Sequence, residues 1–150
     1  MTGSPPTAAS IVIERTIEWF DTDASGHYHH ATAFRLAEAA ETALLRMLGL
    51  VDLLGRIPRV QLHASFTAPL YFGDTVSVRI EVSRLGRSSI TYRYTIDAES
   101  GCAVSGEIVA VLLDRPAGRP IPWSARQREL LLGAAARQPD PPNTPAMESK

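Results

Sequence analysis

The run Trp19-Phe20-Asp21-Thr22-Asp23-Ala24-Ser25-Gly26-His27-Tyr28-His29-His30-Ala31-Thr32-Ala33-Phe34 joins two different periodicities, and its reading decides the fold. Upstream, from Ile11 to Phe20, residues alternate: Ile11, Ile13, Ile17 and Trp19 share one face, Glu14, Thr16 and Glu18 the other. That period of two predicts a half-buried strand. Asp21 to Gly26 is rich in turn formers and ends it. Downstream, from about Ala31 to Leu48, the period becomes helical. Leu36, Ala40, Ala43, Leu44 and Met47 fall on one side, and Arg35, Glu38, Thr42 and Arg46 on another. Alanine is frequent, and neither proline nor glycine interrupts before Gly49.

Four more alternating segments follow. Val60, Leu62, Ala64 and Phe66 form the first apolar set, Val76, Val78, Ile80 and Val82 the second, and Ile90, Tyr92, Tyr94 and Ile96 the third. The last segment, about Cys102 to Leu113, is apolar on both faces near its end, as a central strand is. Short turn-like links at Leu85–Arg87 and Glu99–Gly101 join the last three strands as a meander of hairpins. The order strand, long helix, four strands predicts an α+β domain, an antiparallel sheet of about five strands wrapped around one long central helix. One helix cannot cover everything, so an exposed edge strand must be paired or covered, which predicts a dimer. The predicted organisation is a disordered N-terminus at 1–10, the domain at 11–114, a C-terminal extension at 115–137 with a short helix at Ser124–Ala136, and a disordered Pro-rich tail at 138–150.

Bulk properties set the class. At 150 residues, 45% hydrophobic and 21% charged, the chain suits one domain that needs no metal or disulfide to fold. Cys102 is the only cysteine, so no internal disulfide forms, in keeping with a reducing, cytoplasmic setting. No apolar run approaches the ~20 residues of a membrane span. Met1 to Ser10 lacks the basic start and apolar stretch of a signal peptide. A net charge of −1 argues against nucleic acid as a partner. Lys150 is the only lysine among fifteen basic residues, which reflects compositional bias or arginines used to clamp phosphates.

The opening run also concentrates the chemistry: two carboxylates, histidines and a glycine turn at a strand-to-helix junction. Two rigid elements hold such a junction, and a helix start offers unpaired N–H groups. Acyl transfer needs a base or nucleophile and donors for the developing oxyanion. Asp23 supplies the first, and amides around His30 to Ala33 the second. Other readings share these residues. Asp21, Asp23, His27, His29 and His30 are the right types for zinc or iron, though their spacing matches no familiar zinc pattern. Aspartates in turns also serve structure alone, the reading favoured for Asp21, and His27 reads as a loop residue. Asp74, after Gly73, reads as a turn residue, and His63 as a polar-face strand residue.

With Asp21-Thr22-Asp23-Ala24-Ser25-Gly26, then His30 and a helix containing Phe34 and Glu38, the chain resembles the 4-hydroxybenzoyl-CoA thioesterase family of hot-dog proteins, especially its Tol-Pal-associated acyl-CoA thioesterase branch. Phe66-Thr67-Ala68-Pro69-Leu70-Tyr71-Phe72-Gly73-Asp74 and Leu85-Gly86-Arg87-Ser88-Ser89-Ile90 continue the likeness, which spans about 11–114. The resemblance implies a hot-dog fold and hydrolysis of an acyl-CoA or acyl-carrier-protein thioester without a cofactor or metal. It places the catalytic carboxylate at Asp23 and the branch's histidine at His30. Many relatives have Asn-Asn at His29 and His30, and the branch has tyrosine at Trp19. His29, Ala31, Trp19 and Glu38 become oxyanion or substrate-positioning residues. Some hot-dog thioesterases use a helix glutamate instead, a part that Glu38 or Glu41 could take, though Glu38 also has a structural reading, pairing with Arg35 or lining a helix face. Family members bind CoA across a subunit interface, which makes Arg84, Arg87 and Ser88 CoA-binding residues and the assembly a homodimer or homotetramer. Two other functions compete. Hot-dog enoyl-thioester hydratases or dehydratases usually present Asp-x-Asn-x-x-His, and here Asp21 and Asp23 each miss that distance to His27 by one residue. A non-enzymatic acyl-thioester-binding dimer is the third reading.

Overall fold

The computed structural model describes residues 8–133. Five strands, β1 (Ser10–Thr16), β2 (Arg59–Phe66), β3 (Thr75–Leu85), β4 (Ser89–Ala98) and β5 (Gly101–Val111), form one antiparallel sheet in the order β1-β3-β4-β5-β2. The long helix α1 (His30–Met47) packs against β1 and β3, and a short helix α2 (Ala125–Leu132) packs against β3. This is the expected hot-dog arrangement with a second helix added. Among the described residues no helix is long and apolar enough to cross a membrane.

The periodicities place the core. Val76, Val78, Ile80 and Val82 of β3 and Ile90, Tyr92, Tyr94 and Ile96 of β4 are buried against Leu36, Ala40 and Leu44 of α1. Gly49, at φ +72°, takes the left-handed conformation that ends α1. α2 begins at a capping box in which Ser124 and Gln127 satisfy each other's amides.

Two expectations need correction, and two further features go beyond what was expected. The first strand ends at Thr16 rather than Phe20. A 3-10 turn at Trp19–Asp21 follows because the Asp21 carboxylate accepts the Glu18 amide and closes the chain on itself. Trp19 therefore points outward, 75% exposed, and Ile17 holds the buried position. Second, ordered chain begins before Ile11. Ala9 is buried, its amide donates to the Leu131 carbonyl, and its carbonyl accepts from Val82. Residues 1–7 of the expected disordered N-terminus lie outside the described residues, as does the whole 138–150 tail.

Third, the apolar face of β2 is not covered: Val60 is 61% and Leu62 47% exposed, with Phe66 alike. β2 is a sheet edge, so no described strand lies beyond it. Fourth, the C-terminal extension is part of the packed body, since Trp123 and Leu131 are buried in the core. The Trp123 indole N–H donates to the Ser89 carbonyl, and an Arg128 guanidinium N–H to the Gly86 carbonyl. These bonds brace the turn between β3 and β4. The expected helix at 124–136 is found at Ala125–Leu132, and residues 134–137 lie outside the described residues.

Candidate active site

The loop between the 3-10 turn and α1 is pinned at both sides. Thr22 bridges Tyr28, the Asp23 amide donates to the His27 carbonyl, and Gly26 turns back at φ +87°. The Tyr28 amide donates to Leu70, which ties the loop to the segment between β2 and β3. A cleft of about 510 Å³ lies between these segments, lined by Asp23, His27, Tyr28, His30 and the Phe66–Pro69 and Tyr71 wall.

The two aspartates part here. Asp21 is buried, its carboxylate ion-paired with Arg35 and accepting the Glu18 amide, while its backbone carbonyl accepts the Thr32 hydroxyl. It is a structural residue, as its turn position predicted. Asp23 is exposed and lines the cleft. Its Oδ1 accepts the Ser25 hydroxyl and, at 2.8 Å, the Ser25 amide. The Ser25 hydroxyl first, then its amide, hold the Asp23 carboxyl below its usual value, against an opposing effect of burial. The group is an anion at neutral pH.

His29 is the N-cap of α1, and its Nδ1 accepts the Ala31 amide at 3.0 Å. An accepting Nδ1 carries no proton, so the cap needs neutral His29 with hydrogen on Nε2. The Ala31 amide, expected at an oxyanion site, is thus already engaged, and the Thr32 amide donates to the His29 carbonyl. Among the described residues the His30 amide finds no acceptor. The His30 ring lines the cleft with Asp23 and lies 4.1 Å, centroid to centroid, from His29.

Other expected site residues stand further off. Trp19 meets Phe72 edge-on at 5.9 Å, outside the cleft wall. Glu38 pairs with Arg59 at 3.5 Å rather than with Arg35, which Asp21 holds. Glu41 is buried and paired with Arg59, away from the cleft. Arg84, Arg87 and Ser88 lie where β3 turns into β4. The cleft meets the other end of the sheet, and β3's 11 residues span roughly 33 Å. One chain does not bring them to Asp23. Among the described residues no three His, Cys, Asp or Glu side chains converge as metal ligands would. Asp74 accepts the Tyr71 amide and closes the turn into β3, as its Gly-Asp context predicted.

Tyr28 was missed by sequence reasoning. It directly precedes the N-cap, where an apolar side chain commonly folds back against the first helical turns. That position was the available signal.

Comparison with known proteins bears on this geometry. The Thioesterase superfamily matches residues 25–104, a span that begins two residues after Asp23. A 1,4-dihydroxy-2-naphthoyl-CoA hydrolase of Thermosynechococcus vestitus is 33% identical over 99 residues, 61% of this chain and 67% of that protein. Among solved structures, a thioesterase from Thermus thermophilus complexed with coenzyme A and Zn is 25% identical with a TM-score of 0.74, over 80% of this chain and 95% of its own. An aspartate-to-asparagine mutant of 4-hydroxybenzoyl-CoA thioesterase, complexed with 4-hydroxybenzoyl-CoA, has a TM-score of 0.73 at 22% identity, over 83% of this chain and 99% of its own, and attests the fold.

Proposed function

Because the chain belongs to the Thioesterase superfamily and is a thioester hydrolase, we propose that Asp23 carries the hydrolysis, as base toward water or as nucleophile toward the thioester carbonyl. The observation that carries this reading is the contrast within one turn: Asp21 is neutralised and buried, whereas Asp23 is an exposed anion in a cleft with His30. Both routes start from that anion. As base, Asp23 takes a proton from water while the new C–O bond forms. As nucleophile, its free Oδ2 bonds to the carbonyl carbon to give an anhydride that water then opens. In each the C–S bond breaks and the thiolate leaves as the thiol.

The negative charge that develops on the carbonyl oxygen is met by the open His30 amide at the positive end of α1. Ala31 joins it only when His29 releases the Ala31 amide. The His30 ring orients the carbonyl or relays a proton. Trp19 replaces the tyrosine of the Tol-Pal-associated branch and bears on substrate choice. Glu38 shares a helix face with His30 and Phe34 and limits the far side of the site.

The acyl carrier is CoA, with an acyl-carrier protein as the alternative, and the active unit is a homodimer or a pair of dimers. The bare apolar edge of β2 supports this. β2 runs from Arg59, beside Ala110, to Phe66, beside Val104, and Asp23 lies at the Phe66 end. A second copy paired antiparallel along β2 lays its own Arg59 end beside that Phe66. Its β3–β4 turn then stands at the Asp23 end, three strand spacings or roughly 15 Å away. Arg84, Arg87 and Ser88 of the second copy thereby reach CoA phosphates bound at this chain's cleft. The catalytic unit is 11–114, and in the extension at 115–137 Trp123 and Arg128 brace the turn that carries those arginines. The setting is cytoplasmic.

A panel of acyl-CoAs with a thiol-detecting reagent tests the reading. Asp23→Asn should lower kcat/KM by at least about a hundredfold while CoA binding survives. Activity left largely intact in that variant overturns it. Binding without turnover by the wild type would favour the non-enzymatic dimer instead.

A further inference from the structure

The Asp23 cleft contains a polar atom that the hydrolysis does not use. Tyr28 lines the cleft, is 5% exposed, and among the described residues its hydroxyl has no hydrogen-bond partner. The ring lies 6.1 Å from Phe66, a half-exposed residue on the bare edge strand. The neighbouring phenol, Tyr94, lies against Gly106, where a Cβ would meet its hydroxyl at 2.6 Å, and that hydroxyl donates to the His63 carbonyl. Tyr94's one proton is therefore committed, so Tyr94 does not donate to Tyr28.

A buried hydroxyl without a partner is destabilising, and phenylalanine would fill the same space without that cost. The hydroxyl has a use if something entering the cleft completes it. Asp23 and His30 are exposed in the cleft, where the thioester carbonyl belongs, whereas the Tyr28 hydroxyl is buried. A group that reaches it is on the acyl side of the thioester, beyond the carbonyl.

Resting on the thioesterase reading above, we propose that Tyr28 is a specificity residue whose hydroxyl bonds an oxygen carried by the acyl group. The enzyme accordingly prefers hydroxy- or oxo-acyl thioesters over the same acyl skeleton without that oxygen. A phenol both donates and accepts, so either a hydroxyl or a carbonyl on the acyl group completes it. Burial of Tyr28 raises its hydroxyl's pKa, which keeps the proton available to donate.

The test compares matched thioesters, 4-hydroxybenzoyl-CoA with benzoyl-CoA and a 3-hydroxyacyl-CoA with its saturated parent, on the wild type and Tyr28→Phe. The wild type should favour the oxygenated member of at least one pair by about tenfold or more in kcat/KM, as one well-placed hydrogen bond allows. Tyr28→Phe should bring that ratio near one, mostly by losing the oxygenated substrate, with turnover of the plain one retained. Its Tm without ligand should equal or exceed that of the wild type. Three results overturn the inference: no preference in the wild type, an equal loss on both members, which would assign the hydroxyl to the thioester carbonyl, or a lowered Tm with the ratio unchanged, which would make it structural. Calorimetric titration with non-hydrolysable thioether analogues of the same acyl groups reads the ratio without turnover. A ratio that persists there in a protein without hydrolysis sinks the hydrolytic reading and leaves Tyr28's role standing, whereas equal binding of both analogues sinks Tyr28's role alone.

Discussion

Asp21 and Asp23 stand two residues apart and face opposite ways: Asp21, 2% exposed, is locked to Arg35 and the Glu18 amide, and Asp23 is open to the cleft with Ser25 as its close donor. The buried aspartate builds the turn that presents the exposed one. Asp21 ties the 3-10 turn to α1 twice, through Arg35 and through its own carbonyl to Thr32. Asp21→Asn keeps the shape but loses the charge that holds Arg35. It should lower stability by about 1–3 kcal/mol, the range for a broken charged hydrogen bond, with Arg35 half in solvent. Urea unfolding checks this: the midpoint should fall with the m-value unchanged.

The Ser25 hydroxyl is the largest influence that keeps Asp23 anionic. A carboxyl held low stays ionised to lower pH, so the acid limb of kcat/KM should lie below the ordinary carboxylate range. Ser25→Ala removes the hydroxyl and keeps the amide. Its acid limb should move to higher pH, with activity at pH 7 nearly unchanged. A pH–rate profile of the two proteins decides it, and an unmoved limb would detach the titration from Asp23.

Arg59, at the start of β2, reaches under α1 to Glu41, which is almost wholly buried, and also touches Glu38. Burial raises the Glu41 carboxyl, and Arg59 pulls it back. The Tyr92 hydroxyl lies beside the Glu41 carboxyl and favours its charged form. Arg59→Met strands the carboxylate and should cost about 3–5 kcal/mol at neutral pH. The sign with pH follows from the raised carboxyl. The folded state holds its proton more tightly than the unfolded chain, so stability drops as pH rises from the unfolded carboxyl value through the folded one. The gap between wild type and Arg59→Met should therefore be widest near pH 7 and close toward pH 4. Chemical unfolding at both pH values measures it, and Glu41→Leu combined with Arg59→Met should recover most of the loss.

How much of this was legible in the sequence depended on whether one chain's local pattern decides the outcome. Alternation in β3 and β4 and the apolar stripe of α1 gave the right faces, because those elements are covered within the chain. Trp19 fitted the alternation and still points outward, since the Asp21–Glu18 capping contact overrides the period two residues earlier. β2 has the same alternation as β3, but nothing among the described residues covers its apolar face. Asp21's structural part was readable from its turn, whereas the partner of Glu38 was not, because Arg59 is distant in sequence and reaches it through the fold. Tyr28's hydroxyl was hidden for the same reason: its neighbours Phe66 and Tyr94 are brought to it by the sheet.

The edge strand yields the last prediction. Leu62 sits mid-strand in β2, half-exposed, opposite Ile108, so a change there meets little within the chain itself. Lysine on such an edge is a common device against strand pairing, because its charge must be desolvated by the incoming strand. If β2 pairs with β2 of a second copy, Leu62→Lys places two like charges near the axis of the pair. The wild type should sediment as a dimer or a multiple of one, and Leu62→Lys as a monomer with near-native circular dichroism. If Arg84, Arg87 and Ser88 come to the cleft from the other copy, the monomer should also show a raised KM for acyl-CoA. The same acyl group on pantetheine, which lacks the nucleotide phosphates, should distinguish the two causes. Arg84→Ala with Arg87→Ala in the dimer should raise KM for the CoA thioester and leave the pantetheine thioester unaffected. A Leu62→Lys protein that stays dimeric, or a double arginine variant that treats both thioesters alike, would remove β2 as the seam or the arginines as the phosphate site.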